Sequence, residues 1–436
     1  LVLMLMANWY AHIVDVKGAF LIGEFDNDET IYTPVPEGFE RFCDSNKYLL
    51  KLLKTWYGLK QAAMMFWKQL VKAMTNMKCE RNHKDPCMYY KQIKEGFIIW
   101  LSWVDDCVCI GPKKEVLEEV AKMKSLFDCT DIGAFKEYVG CKISRSEDNK
   151  TLKFTQPVLL QSYKDEFELP STIFKIPAEP KQVLVKCEEG AELDPVNQKV
   201  FRSGVGKLMH MMRWSRPEIW NATREVSRRM TMANEAHMKA LKRTMKYCVD
   251  TPNRGWTLRP NREWDGKDTT FEFIISGKSD SNYATCKETR RSVTGLVIRL
   301  EGAVVAVKSG MQRIVALSVT EAEIIALVAA VQEMLYIMHL IEGMGLSVAK
   351  PMVLEVDNRG AVDLINGWSC SGGTKHTEVR IMFVRQLKEA GIISVIWTPE
   401  DENESDIFTK NTDERKFEKH TNTMCEGDEI SSREEC

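Results

Sequence analysis

At 436 residues, with 44% apolar side chains, the chain is long enough for roughly two to four domains with buried cores, which excludes global disorder. A net charge of −2 neither demands nor excludes a polyanionic partner, because the charge is unevenly spread. Thirteen cysteines without a CxxC pair fit free thiols in a reducing compartment rather than a disulfide framework. No apolar run approaches the roughly 18 residues of a membrane span, so no membrane partner is expected.

In chain order, residues 1–14 read as a short helix and the entry to a strand, and that apolar run ends on Asp15. Residues 31–39 are a turn-rich connector. Residues 47–78 predict a strand, a turn at Gly58 and an amphipathic helix. Residues 97–110 predict a hairpin in which two apolar, β-prone runs flank Asp105 and Asp106. Adjacent carboxylates repel, and each is costly to desolvate inside an apolar run. They form either an exposed turn, where Asp is common, or a site compensated by a hard cation such as magnesium. With Asp15 beside them they would make a two-metal site for displacement at phosphorus, but spacing does not show that the strands are neighbours.

Further along, residues 113–128 predict an amphipathic helix, residues 138–143 a strand, and residues 152–169 a strand and a helix. The stretch 177–195, with Pro177, Pro180 and Pro195 among acids, reads as an extended acidic linker. Residues 202–262 hold fourteen Lys/Arg against four acids on three helical stretches, with Trp214, Trp220, Tyr247 and Trp256 interleaved. That pattern fits either a phosphate-backbone track, with Arg224, Arg228, Lys242 and Arg243 as contacts, or a solvated helical surface. Residues 271–411 read as a separate α/β unit. Its acids sit at strand ends and helix starts, where a sheet can gather them: Asp280, Glu321 or Glu323, Asp357 and Asp406. Residues 413–436 carry eight acids and four Lys/Arg with few apolar side chains, and predict a disordered acidic tail.

Three runs are recognisable together. Asp15-Val16-Lys17-Gly18-Ala19-Phe20-Leu21-Ile22-Gly23, Trp56-Tyr57-Gly58-Leu59-Lys60-Gln61-Ala62 and Trp103-Val104-Asp105-Asp106 resemble, in order and spacing, the palm motifs of copia-type LTR-retrotransposon reverse transcriptases. The 271–411 unit resembles a retroelement ribonuclease H. Together they cover nearly the whole chain to about residue 411.

The resemblance implies an α+β multidomain protein: a right-hand polymerase palm with incomplete fingers (1–150), a thumb-like segment (151–180), a linker and basic helical connection (181–270), a ribonuclease H-like α/β domain (271–411) and the tail (412–436). It implies RNA-directed DNA polymerisation and RNA–DNA hybrid cleavage, with two Mg2+ (or Mn2+) at each site. Asp15 and Asp105 would bind metal in the palm with Asp106 in support. Asp280, Glu323, Asp357 and Asp406 would do so in the nuclease. Glu323 is preferred to Glu321 because Ile324-Ile325-Ala326 follows it. Phe20 takes the position of the gate against a ribose 2′-hydroxyl, Gln61 lies near the nucleotide, and Trp103 stacks at the primer end. Partners would be an RNA template, a DNA primer, the RNA–DNA hybrid and deoxynucleoside triphosphates.

Departures from the family are also present. Most of the fingers would precede residue 1, so the chain reads as an excerpt of a larger polyprotein. Met64 stands in place of an Arg, Trp103 in place of Tyr, and Asp280-Ser281-Asn282-Tyr283 in place of Asp-Ala-Asp-Trp. The second reading is therefore a truncated, decayed element product that binds nucleic acid and keeps at most the ribonuclease H activity. Thr374-Lys375-His376 resembles the family's Thr-Lys-His. No zinc set, Asp-Thr-Gly or P-loop occurs. The cytoplasm (in a virus-like particle) and the nucleus are both open, no targeting signal being present.

Overall fold

The acid-bearing hairpin lies inside a six-stranded antiparallel sheet, ordered Glu80–Arg81, Met88–Ile93, Gly96–Trp103, Asp106–Gly111, Tyr10–Val16 and Cys129–Ala134. This computed structural model describes residues 1–25, 29–39, 41–367 and 375–427, without the side chains of 375–377. The helices Ala62–Asn76 and Lys113–Leu126 supply Phe66, Leu70, Val116, Val120 and Met123 to a core with Val14, Ile98, Trp100 and Cys109. The period-2 and period-3.6 apolar patterns thus meet on one buried layer.

Residues Trp9–Phe135 with Asp265–Asp268 form one compact unit, and Leu1–Asn8, Lys136–Trp264 and the chain from Thr269 onward form the other. The boundary between the two units therefore falls inside the span 1–150 expected for the palm. The hairpin Glu137–Tyr138 and Cys141–Arg145 pairs with Leu152–Thr155 and so joins the second unit.

In that second unit, Gly255–Leu258 and then Cys425–Glu426 extend the same sheet. The thumb-like and connection segments are not separate bodies. Helices Pro157–Glu166, Pro195–Trp214 and Glu235–Asp250 share one core through Tyr163, Phe201, Leu208, Leu241 and Tyr247. The 177–195 stretch has no helix or strand before Pro195, as expected, yet it is pinned rather than solvated: Arg229 donates to the Leu184 carbonyl at 2.6 Å.

The second sheet of this unit runs Ala303–Met311, Val293–Leu300, Ile275–Asn282, Met352–Val356 and Ile393–Trp397. The first three strands are antiparallel and the last three parallel, a mixed sheet as expected for an α/β unit. Glu301 and Gly302 form its tight hairpin turn, both with positive φ. The helix Val319–Glu342 packs on this sheet, burying Ile324, Leu327, Val331 and Met334. By length and composition it could cross a membrane, so the expectation that no stretch approaches a span does not hold for this helix.

The tail is a correction. Residues 414–421 form a helix capped by Asp413, and Cys425–Glu426 pairs with Gly255–Leu258. Composition read these residues as solvated because their apolar members are few. Those few, Phe417, Met424 and Cys425, are all buried in the shared core.

Candidate active sites

In the palm, Asp15 and Asp106 are directly opposed across neighbouring strands, and the Val16 N–H donates to the Asp105 carbonyl at 3.0 Å. Trp103 pairs with Asp106, leaving Val104 and Asp105 as a two-residue turn. Val104 has φ +58°, a strained value for a β-branched residue. The Asp106 carboxyl is held above its usual range, first by burial and then by Asp105 and Asp15. All three acids are half-buried.

The other palm positions fall into place around the same motifs. The Phe20 ring meets Tyr57 edge-on at 5.5 Å, and its carbonyl accepts from Thr55 Oγ1 at 2.7 Å. The Gln61 amide donates to Glu29 at 2.5 Å, so it is engaged inside the palm. Trp103 is 59% exposed and Met64 is also exposed.

The second site is tighter. Asp280 lies in the Ile275–Asn282 strand, Glu323 in the first turns of the Val319–Glu342 helix, and Asp357 just past the Met352–Val356 strand. One ligand oxygen from each lies within 4.8 Å of the others, the one such trio of acids, cysteines or histidines among the described residues. Burial, then Asp406 and Asp357, pushes the Asp280 carboxyl up to about 8. Glu323 is raised well above its usual range, by burial first and then by Asp280 and Asp357. Asp357 is raised chiefly by burial.

Local contacts explain the aim of each acid. Ser281 donates to Glu323 from its backbone N–H at 3.2 Å and its hydroxyl at 2.9 Å. Thr409 Oγ1 donates to Asp280, and the Asn403 amide hydrogen-bonds Asp357. Glu321, the competing acid, instead accepts the Leu317 N–H at 2.7 Å near the helix start, where the Ser318 hydroxyl accepts from the Glu321 N–H. Gly295 lies opposite Asp280, where a Cβ would fall 2.7 Å from the Ser405 carbonyl. The segment carrying Asp406 can pack this closely only over a glycine.

Asp406, the fourth acid expected, lies outside the close trio, though its charge bears on Asp280 and Asp357. It is fully buried, but its oxygens face Lys410, at 3.1 Å, and Lys416. Ser281, Thr409, Asn403 and both lysines were missed from the sequence. Lys410 alone carried a readable signal, its i+4 spacing from Asp406.

The family described as "Reverse transcriptase (RNA-dependent DNA polymerase)" matches residues 1–178. The retrovirus-related Pol polyprotein from transposon TNT 1-94 of Nicotiana tabacum is 30% identical over 416 residues, covering 93% of this chain and 30% of that protein. The corresponding polyprotein from transposon RE1 of Arabidopsis thaliana is 26% identical over 406 residues, 92% of this chain and 26% of its own length. Residues 1–178 thus match the reverse transcriptase family, and most of the chain is similar to copia-like Pol polyproteins. The chain spans less than a third of the length of these two relatives. Among solved structures, the foamy viral protease-reverse transcriptase in complex with dsDNA matches at TM-score 0.47 and 11% identity, over 91% of this chain and 70% of that one. LC11-RNase H1 in complex with RNA/DNA hybrid matches at TM-score 0.25 and 16% identity, over 31% and 93%.

Of the basic side chains expected to contact phosphates, three are engaged within the protein. Arg224 is buried, paired with Glu225 at 2.7 Å and donating to Ser309 and Asn221. Arg228 donates to Cys286 Sγ at 2.8 Å. Arg243 stacks over Phe174 at 4.3 Å and pairs with Glu179 at 3.2 Å. Lys242 is half-buried on the same helix. Acids distant in sequence, Glu179 for Arg243 and Glu288 for Arg228, lower the net charge of this face in a way a local charge count does not see. Thr374, and the side chains of Lys375 and His376, lie outside the described residues.

Proposed function

We propose that this chain performs two phosphoryl-transfer reactions: RNA-directed DNA synthesis at Asp15, Asp105 and Asp106, and cleavage of the RNA strand of an RNA–DNA hybrid at Asp280, Glu323 and Asp357. The observation that carries the proposal is the convergence of three carboxylates, Asp280 and Glu323 buried and Asp357 half-buried, from two strands and a helix. Burying three acids together opposes ionisation, and Glu323 Oε2 has no hydrogen-bond partner among the described residues. That donor set fits a hard divalent cation with oxygen ligands, Mg2+ or Mn2+. Such a cation, when bound, supplies positive charge to a phosphoryl oxygen and acidifies a water.

The chain's own residues do the rest. Ser281 fixes Glu323, Thr409 fixes Asp280, and Asn403 fixes Asp357. In the palm, Trp103 offers an exposed ring for stacking against a primer end, and Phe20 fills the space of a 2′-hydroxyl. The RNA template, primer, hybrid and deoxynucleoside triphosphates are the substrates of this reading. A second reading, in which only the nuclease acts, draws on the looser setting of the palm acids, which are half-buried where Asp280 and Glu323 are buried.

The test is a paired assay of primer extension and hybrid cutting on one preparation with magnesium. Hybrid cutting at least as robust as extension is expected. Strong extension without cutting overturns the nuclease assignment, and cutting without extension selects the second reading.

A further inference from the structure

At the outer rim of the second acid cluster an arginine is stacked on a tryptophan. Arg359 opens the helix Arg359–Asn366, just after Asp357 and Asn358 in the chain. Its guanidinium carbon stands 4.1 Å above the Trp397 ring. Both side chains are exposed. Trp397 ends the strand Ile393–Trp397, where it pairs with Val356, and its indole N–H donates to the Asp357 carbonyl at 2.9 Å. One ring therefore holds the backbone of the acid with its edge and the arginine with its face.

The backbone under Arg359 is fixed as well. The Asn358 side chain caps the helix by accepting the Ala361 N–H at 2.9 Å. A Cβ at Gly360 would fall 3.3 Å from Thr320 Oγ1, so this turn packs closely on the start of the helix that carries Glu323. Other arginines of the unit spend their forks on carboxylates, Arg262 on Glu301 and Arg299 on Glu404. Arg359 has no ion pair and no hydrogen bond among the described residues. Stacking occupies the face of a guanidinium and leaves its N–H edges for an acceptor in its own plane. Two oxygens of a phosphodiester match that planar fork. The neighbouring carboxylates repel such a group, and a fixed cation at their rim offsets the repulsion.

We propose that Arg359 is a substrate-binding residue of the nuclease reaction. It takes a phosphate of the strand being cut, next to the one that reacts, because its own backbone adjoins that of Asp357. Trp397 is the positioning residue that keeps the guanidinium flat and aimed. The inference rests on the nuclease reading of the trio and adds a contact outside it.

The test is steady-state cutting of an RNA–DNA hybrid by the full chain with magnesium, over a range of salt concentrations. Arg359→Gln removes an exposed side chain, so the fold is not at stake. It should raise KM about tenfold at low salt and leave kcat within about twofold. It should also lower the slope of log(1/KM) against log salt by about 1, the share of one phosphate contact. Arg359→Lys should restore the slope, since the charge is kept, with KM still partly raised because the fork and the stack are lost. Trp397→Leu should raise KM about threefold, and adding it to Arg359→Gln should raise KM no further. A salt slope that Arg359→Gln leaves unaltered overturns the inference, as does a loss confined to kcat; the nuclease reading then stands on the cutting by the unsubstituted chain. A Trp397→Leu loss that adds in full to that of Arg359→Gln overturns the positioning role. An unsubstituted chain that cuts no hybrid overturns the inference and the nuclease reading together.

Discussion

The two acid clusters differ in how much of their cost is met inside the protein. In the palm, the carboxylates ride on a tight hairpin and a neighbouring strand, half-buried beside the exposed Trp103 and Val104. In the second cluster, Asp280 and Glu323 are 4% and 3% exposed, and each is gripped by a neighbouring hydroxyl. Partial exposure lets water share the repulsion between the palm acids. The buried acids are relieved only by fixed protein donors, by the Lys410 charge and by protonation. The first cluster is open to what docks on it, whereas the second is pre-assembled, its repulsion held inside the fold.

The sharpest way to break this comparison is to remove one carboxylate of the proposed nuclease trio. Glu323→Gln should lower hybrid cleavage by about 10³-fold or more, because an oxygen ligand is lost. Primer extension should stay within about twofold, since that reaction uses other carboxylates. Glu321→Gln, which only loosens a helix start, should cost less than about tenfold in cleavage. Equal losses for both variants would show that the geometric choice between these acids is wrong.

A smaller effect tests the stored repulsion. Asp280 titrates near 3.8 when unfolded and is raised to about 8 in the fold. Between those values the folded chain keeps a proton that the unfolded chain has lost. Stability in chelator is therefore full below about pH 4 and falls as pH rises toward about 8. Melting curves should show the decline, Asp280→Asn should flatten it, and added divalent ion should restore the high-pH stability. Asp106→Asn should change the profile in the same sense but less, its carboxyl being less buried. A larger change from Asp106→Asn than from Asp280→Asn would reverse the ranking of the two sites.

The smallest predicted effect concerns the palm turn. Val104→Asn places a residue tolerant of left-handed backbone at φ +58° and should stabilise by about 0.5–1 kcal/mol in urea unfolding. A destabilised variant would mean that Val104 makes packing contacts worth more than its strain.

What the sequence made legible were the positions tied to local periodicity. Asp15 and Asp105 end apolar runs, and such runs become neighbouring strands. Asp280 and Asp357 likewise sit at or near the ends of strands that lie side by side. Glu323 was separable from Glu321 only by resemblance until the structure showed Glu321 accepting the Leu317 N–H. Arg224 could not be read, because its partners Ser309 and Asn221 include a residue 85 positions away. Lys416 was invisible for a related reason. A polar helix with one buried Phe417 has too weak an apolar pattern to announce that it docks, and nothing local links it to Asp406.

The pairing of Cys425–Glu426 with Gly255–Leu258 bears on where this protein can be cut. Trimming at residue 411, where the recognisable motifs end, would strip one edge from a sheet and leave unpaired backbone groups beside the vacated seats of Phe417, Met424 and Cys425. A fragment prepared that way invites edge-to-edge aggregation. Poor solubility of such a fragment would then reflect the missing closing strand, and would say nothing against the chemistry of the acids.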